Sequence, residues 1–129
     1  MFTLESILEA HAQFSGPDFP KLLAVFKEMG MISNQVDIEM GQVTYIAQDD
    51  TVLVNDGYKV TSNIADCPNK EQAECDLKRH QVGETDFPTF CEDMAKAGIV
   101  GWVIDLEQMT CTYLDKNENA VLVEAVPTV

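Results

Sequence analysis

The sequence predicts an α+β fold in which a helix–helix–three-stranded antiparallel unit occurs twice, as a tandem duplication packed into one pseudo-twofold domain. Three observations lead to this prediction. Matching residues recur in the same order in both halves, the apolar spacing changes from helical to alternating within each half, and a glycine separates the two patterns. We divide the single domain, residues 1–129, into a first unit at 1–55, a linker at 56–68 and a second unit at 69–129.

The internal repeat relates residues 18–55 to residues 86–124 at an offset of 68, which becomes 69 after one extra residue in the second turn. Both segments begin with the tripeptide Asp-Phe-Pro and continue to a glycine and an Asp-x-Glu triplet. The matched pairs are Asp18 and Asp86, Gly30 and Gly98, Asp37 and Asp105, Glu39 and Glu107, and Tyr45 and Tyr113. Upstream, His11 matches His80 at an offset of 69. Each match is weak by itself, but their common order indicates that both halves share one geometry.

Two helices are predicted in each unit. Thr3 is a suitable N-cap for the first, with Phe2 and Ile7 at the spacing of a hydrophobic staple. Asp18 caps the second, and Pro20 is tolerated in its first turn. An apolar stripe follows at helical spacing in each unit, formed by Phe19, Leu22, Leu23, Phe26 and Met29 and by Phe87, Phe90, Cys91 and Met94. Gly30 and Gly98 then stand where helices end in a left-handed residue.

Three strands are predicted after each of these glycines. Val36, Ile38 and Met40 alternate with polar residues 35, 37 and 39, which is typical of a half-buried strand, and Trp102, Ile104 and Leu106 repeat the alternation. Further strands are predicted at 43–47 and 51–55, and at 110–114 and 120–126. Short turns make these neighbours antiparallel. The apolar faces of the helices and sheets must be buried, so we expect the two units to pack on each other. The order of the six strands stays open.

Composition excludes several classes of function. With 22 acidic and 8 basic residues, the net charge of −14 argues against direct binding to nucleic acid or to an anionic membrane, and leaves a protein partner with a basic surface open. The sequence has neither a membrane-length apolar run nor the pattern of a signal peptide, so a cytoplasmic location is expected. The four cysteines form no CxxC pair and are expected to be reduced thiols.

No sequence motif indicates catalysis or the binding of a cofactor or a metal. The sequence has no Gly-rich phosphate loop, no G-x-S-x-G elbow, no H-E-x-x-H pair and no EF-hand loop. The two histidines nevertheless allow two interpretations. His11 and His80 can each bind the carbonyl groups at the end of a first helix, or they can meet Asp18 and Asp86 across a twofold axis as a metal or acid–base site.

A second set of candidates lies on the predicted strands. Asp37 and Glu39, like Asp105 and Glu107, would lie ~7 Å apart on one face of a strand, either solvated or able to bind a cation or to serve hydrolysis. Tyr45 and Tyr113 are expected in cross-strand pairs or in half-buried core contacts. If one sheet face were uncovered, these acids and the neighbouring Tyr or Thr residues would form its natural binding surface.

The combination of L-x-x-H, D-F-P, a glycine and D-x-E-x-x-x-x-T-Y resembles the YdfO-like or YbcV-like family of small prophage-encoded bacterial proteins. Members are sometimes labelled phage envelope proteins. The resemblance extends over the whole chain and is carried mainly by residues 86–113. It implies a duplicated α+β fold and a bacterial or phage source, and it supplies no activity, substrate or catalytic residue.

The leading functional hypothesis is a non-enzymatic accessory or protein-binding module encoded by a prophage-type element. One alternative is an acidic DNA mimic that inhibits a basic protein, and this requires carboxylates arranged along one face. Another is a small enzyme or metal-binding protein that uses the His/Asp pairs. A structural capsid or envelope role rests only on the label of the resembling family. Oligomeric state is left open.

Overall fold

The computed structural model of the chain describes residues 3–13 and 19–125. Its helices are α1 (Leu4–Gln13), α2 (Phe19–Glu28), α3 (Lys70–Gln81) and α4 (Phe87–Lys96), and its strands are β1 (Met31–Asp37), β2 (Gln42–Ala47), β3 (Val52–Asp56), β4 (Gly101–Asp105), β5 (Thr110–Leu114) and β6 (Ala120–Ala125). The predicted α+β fold is therefore confirmed. The order α-α-β-β-β occurs once before the linker and once after it.

All six strands join one antiparallel sheet in the order β3-β2-β1-β4-β5-β6. The two halves of the chain meet where β1 pairs with β4, and there Gln35 lies opposite Val103. This strand order could not be read from the sequence, because it depends on pairing between residues far apart in the chain.

The helices of both halves pack on the same face of the sheet. Tyr45 lies opposite Asn34 and Trp102 lies opposite Val36, so both aromatic residues are on the β1 face that holds residues 34 and 36. The Tyr45 ring is 6.2 Å from that of Phe26 on α2, and the Trp102 ring is 5.3 Å from that of Phe90 on α4. The buried core, which includes Ile7, Leu23, Met94 and Ile104, therefore lies between this face and the helices.

The predicted helix ends are confirmed where the structure describes them. Thr3 Oγ1 accepts a hydrogen bond from the Ser6 N–H at 3.1 Å, and Asp86 Oδ1 accepts one from the Thr89 N–H at 2.9 Å. These bonds satisfy donors that a helix leaves free in its first turn. Gly30 and Gly98 follow α2 and α4 with φ of 91° and 86°. Phe2 and Asp18 lie outside the described residues.

The predicted extent of the first strand in each half was wrong. We predicted that the strand alternation would run through Met40 in the first half and Glu107 in the second, but β1 ends at Asp37 and β4 ends at Asp105. Each aspartate turns the chain, because its Oδ1 accepts the backbone N–H groups of the residues two and three positions later, at 2.9 to 3.0 Å. Met40 is consequently 64% exposed in a turn.

The linker is held against α4 by one carboxylate. Glu92 accepts hydrogen bonds from Tyr58 Oη at 2.6 Å, from the N–H and Oγ1 of Thr61 at 2.9 and 3.3 Å, and from the Ser62 N–H at 3.1 Å. Hydrogen bonds from Tyr58 and Ser62 lower the pKa of Glu92 from its ordinary value of 4.5 to about 2. The carboxylate thus fastens the connection between the two halves.

Replacing Glu92 by glutamine is expected to make the fold less stable than the wild type above pH 4.5. The difference in stability between the two proteins should shrink as the pH falls towards 2. The lowered pKa means that ionised Glu92 stabilises the folded state above its unfolded value of 4.5, and that this contribution is lost as the pH falls towards about 2. Urea unfolding of both proteins across this pH range measures the effect. Glu28→Gln, at an exposed position on α2, is the control. A stability difference that does not vary with pH would contradict the assigned role.

Candidate functional site

The sheet face opposite the helices is the principal candidate surface, and we call it the outer sheet face. Cross-strand register places one residue from each strand in a row across its middle. This central row consists of Val54, Thr44, Gln35, Val103, Thr112 and Val123. The aromatic contacts of α2 and α4 are all to the opposite face, and Gln81 at the end of α3 donates to Glu124, which also points to that opposite face.

The outer sheet face is poor in charge and exposes valine side chains. Val52 and Val54 are each 54% exposed and Val123 is 58% exposed, at the two edges of the sheet. By strand alternation, the charged residues on the described part of this face are Asp37, Asp56 and Asp105, each at the end of a strand. The central row has no charge although the chain carries −14. A neutral apolar patch on so acidic a protein is typical of a surface that binds another protein.

The acid pairs predicted on the strands do not form carboxylate sites. Asp37 and Asp105 face the outer side, but their Oδ1 atoms cap the turns that follow them. Glu39 and Glu107 are exposed residues of those turns, beyond the strand ends. The prediction that the two carboxylates of each pair share one strand face was therefore wrong. This arrangement supports a structural role for the two aspartates.

Tyr45 and Tyr113 belong to the core and not to the exposed surface. They lie on the helix-facing side of β2 and β5 and are 3% and 5% exposed. Burial raises the pKa of both phenols, that of Tyr113 the more strongly. The expectation of core contacts is confirmed, and the expectation that these tyrosines would join Asp37 and Asp105 on one surface is wrong, because the residues point to opposite faces of the sheet.

Each histidine lies in an aromatic cluster of its own half. His11 meets Phe26 edge-on, with the ring centres 5.3 Å apart, and burial lowers its pKa. His80 stacks on Phe90 at 4.4 Å, and its Nδ1 lies 3.0 Å from the carbonyl oxygen of Thr85. Both histidines thus pack against phenylalanine rings, and the carbonyl group that His80 contacts belongs to the connection between α3 and α4 and not to the helix end that the sequence suggested.

Of the predicted His/Asp set, the structure brings His80 near Asp86 within the second half, since their electrostatic interaction is among the smaller causes of the lowered Asp86 pKa. Within residues 3–13 and 19–125, no group of three or more His, Cys, Asp or Glu side chains is placed to hold a metal ion. Asp18 lies outside those residues, and Asp86 is the N-cap of α4, where the hydrogen bond from Thr89 lowers its pKa. Burial raises the pKa of Cys91 and of Cys111 to about 12, which makes both thiols poor nucleophiles at neutral pH.

Sequence reasoning anticipated that an uncovered sheet face would be a binding surface that includes Thr residues, but it missed the exposed valines of the outer sheet face and the Glu92 contact. One signal for the face was present: Val52, Leu53 and Val54 are consecutive apolar residues, so β3 is apolar on both faces instead of alternating with polar residues. No local pattern marks Glu92, because its partners lie about 30 residues earlier in the chain.

Comparison with known proteins identifies a family without an assigned activity. Residues 9–125 match the profile of the family described as "Protein of unknown function (DUF1398)". The chain belongs to this family. It is also similar to the uncharacterized proteins Mb2035 of Mycobacterium bovis and Rv2012 of Mycobacterium tuberculosis, each 26% identical over 106 residues, which are 81% of this chain and 64% of the relative. The matched region thus spans just under two thirds of these relatives' own length.

The described helices of this DUF1398 protein are all too short or too polar to cross a membrane. The longest of them, α3, has 12 residues, whereas a membrane span needs ~20.

Proposed function

We propose that this DUF1398 protein is a non-enzymatic accessory module that binds a protein partner through its outer sheet face. The observation that carries the proposal is the uncharged central row of that face, flanked by exposed Val54 and Val123, in a chain of net charge −14. Burying such a row against a partner removes apolar surface from water at no cost in desolvated charge.

The proposal changes the kind of partner expected from composition, which was a protein with a basic surface. A basic partner would need carboxylates to pair with, and the central row offers none, so we propose a contact that is mainly apolar. A prophage-type origin is part of the proposal and is supported by the resemblance to YdfO-like proteins. A cytoplasmic location agrees with the reduced state of the four cysteines, which are all free thiols.

We also propose that the two halves arose by tandem duplication. The support is the repeated element order together with the pairing at the centre of the sheet, where Gln35 lies opposite the residue 68 positions later. A twofold axis through this pair would superpose β1 on β4, β2 on β5 and β3 on β6. The scaffold would then present an outer face made of two similar halves.

The alternative functions have less support. A DNA mimic needs carboxylates along one face, whereas the described acidic residues are spread over the helices, the linker and the turns, and Asp37, Asp105, Asp115 and Glu92 accept hydrogen bonds from the backbone. An enzyme using the His/Asp pairs would need those side chains to converge. His80 lies near Asp86, but its ring is half-buried and stacked on Phe90, and Asp86 Oδ1 accepts the N–H of Thr89 as the cap of α4.

Affinity capture from a bacterial lysate at two salt concentrations tests the proposed function. The wild-type chain is compared with a double variant on the outer sheet face, Val54→Lys with Val123→Lys, and with a matched double variant on the helical side, Leu8→Lys with Val82→Lys. Leu8 and Val82 are exposed apolar residues, 47% and 72% respectively, so both variants add the same charge. We expect a protein that the wild type and the helical-side variant retain at high salt and that the outer-face variant loses.

A partner that both variants lose equally, or that is released by salt alone, would overturn the assignment to the outer sheet face. Turnover of a defined substrate by the purified chain, unaffected by the outer-face variant, would overturn the non-enzymatic function. Circular dichroism of each variant verifies that the fold is retained.

A further inference from the structure

We infer that the outer sheet face binds a second copy of this chain, giving a symmetric dimer in which two six-stranded sheets stack face to face. The inference rests on the proposed function and names its partner. Three properties of the face support it: its residues are self-complementary, its charges lie at its margin, and its area is sufficient.

Self-complementarity follows from the cross-strand register. A symmetric dimer uses one patch on both copies, so the patch must fit its own image. Read from the β3 edge to the β6 edge, the central row is Val54, Thr44, Gln35, Val103, Thr112 and Val123. Val-Thr at one edge is mirrored by Thr-Val at the other. Ile46 and Leu114 likewise occupy corresponding outer positions on β2 and β5. A second copy rotated by a half turn therefore presents Val and Thr at the same four outer positions of the row, with Gln35 and Val103 exchanged at its centre.

The distribution of charge makes a second copy acceptable in spite of its −14 charge. Stacking two copies through any acidic surface would place carboxylates against carboxylates without counter-ions. The central row avoids this, because the charged residues of the outer sheet face, Asp37, Asp56 and Asp105, lie at strand ends. In a stacked pair they would lie at the rim, where water and salt screen them.

The area is sufficient for a specific but not an obligate dimer. Six strands spaced ~4.8 Å apart and about five residues long cover roughly 29 Å by 17 Å, so two copies together would bury roughly 1,000 Å² of flat footprint. This matches the lower bound of about 1,000 Å² for specific interfaces, and corrugation of the side chains adds to it. Sheets stacked in this way lie ~10 Å apart with strands crossing at roughly −30°, and β-branched side chains such as Val and Thr interdigitate between them.

Sedimentation velocity of the purified full-length chain over a range of concentrations tests the dimer. We expect a concentration-dependent monomer–dimer equilibrium for the wild type. The double variant Val54→Lys with Val123→Lys should raise the dissociation constant by at least about tenfold, because each dimer would bury four ammonium groups without partners. The variant Leu8→Lys with Val82→Lys carries the same added charge on the helical side and should dimerise like the wild type.

Salt provides a second measurement that needs no variant. Because the charged outer-face residues of the described strands, Asp37, Asp56 and Asp105, are all acidic, higher ionic strength should screen their repulsion and strengthen the wild-type dimer. A dimer weakened by salt would point to a contact between opposite charges elsewhere and would overturn the inference. A wild type that stays monomeric at all concentrations, or a dimer that survives the outer-face variant, would also overturn it.

The outcomes separate this inference from the proposed function. If the purified chain is monomeric but the lysate yields a different protein that the outer-face variant loses, the face is a binding surface and its partner is not a second copy. If the chain neither dimerises nor captures a partner through this face, both proposals fail.

Discussion

Replacing Gly101 by alanine is expected to destabilise the fold by about 2–4 kcal/mol, because there is no room for a side chain where the two halves of the sheet join. Gly101 begins β4 and pairs with Asp37 of β1. A Cβ atom at this position would overlap the carbonyl oxygen of Val36 and approach the Cα of Asp37 to 3.2 Å. Both obstacles are backbone atoms, so neither can rotate away. The strands must move apart at the point where the halves meet.

Urea unfolding of Gly101→Ala measures this effect, and Val103→Ala is its control. Val103 is on the same strand and faces the same side, but its side chain is partly exposed, so truncation removes only favourable strand packing, worth up to ~1 kcal/mol. An equal loss of stability in both variants would show that β4 tolerates a side chain at residue 101. The pairing of β1 with β4 would then be less tight than the structure indicates.

Local patterns in the sequence predicted the local parts of this fold. The N-caps at Thr3 and Asp86 and the left-handed residues Gly30 and Gly98 depend on hydrogen bonds and dihedral angles within a few residues, and they were predicted correctly. The alternation around Ile38 predicted its burial correctly but its structure wrongly: Ile38 is fully buried yet lies in a turn. Alternation reports which residues face the core, whereas the strand ended because Asp37 bound the following N–H groups.

The candidate site depended on non-local information, and this explains why the sequence misplaced it. Acidic and aromatic residues are common in binding and catalytic sites, so we assigned Asp37, Tyr45 and their counterparts to a common surface. Whether they share a face is decided by the pairing of β1 with β2, which puts Tyr45 opposite Asn34 and thus on the side away from Asp37. The central row of the uncovered surface consists mostly of valine and threonine with one glutamine, residue types that carry no catalytic or metal-binding signature.

The same glycine position in the two halves allows a comparison that separates backbone strain from packing. Gly30 and Gly98 have nearly the same φ, 91° and 86°, and both end the second helix of their half. A Cβ at Gly30 would meet nothing within 4 Å, whereas a Cβ at Gly98 would lie 2.6 Å from the Cα of Pro68 in the linker. Gly30→Ala therefore tests the left-handed conformation alone, and Gly98→Ala tests that conformation plus the contact with the linker.

We expect Gly30→Ala to cost about 1 kcal/mol and Gly98→Ala about 2–4 kcal/mol in the free energy of unfolding. The excess arises because the linker must leave α4, and the N–H of Asn69, which binds the carbonyl oxygen of Ala97, moves with it. Equal effects of the two substitutions, measured by urea unfolding, would show that the linker can move away from residue 98 without lowering the free energy of unfolding.

A linker that has moved should also release Glu92, whose partners are Tyr58, Thr61 and Ser62 of the same segment. Gly98→Ala should then lose the dependence of stability on pH between 4.5 and about 2 that Glu92 confers, while Gly30→Ala should retain it. Combining Gly98→Ala with Glu92→Gln should consequently cost less than the sum of the two single changes, because the first has already broken the contact that the second removes. Additive effects would instead mean that Gly98 and Glu92 hold the linker independently.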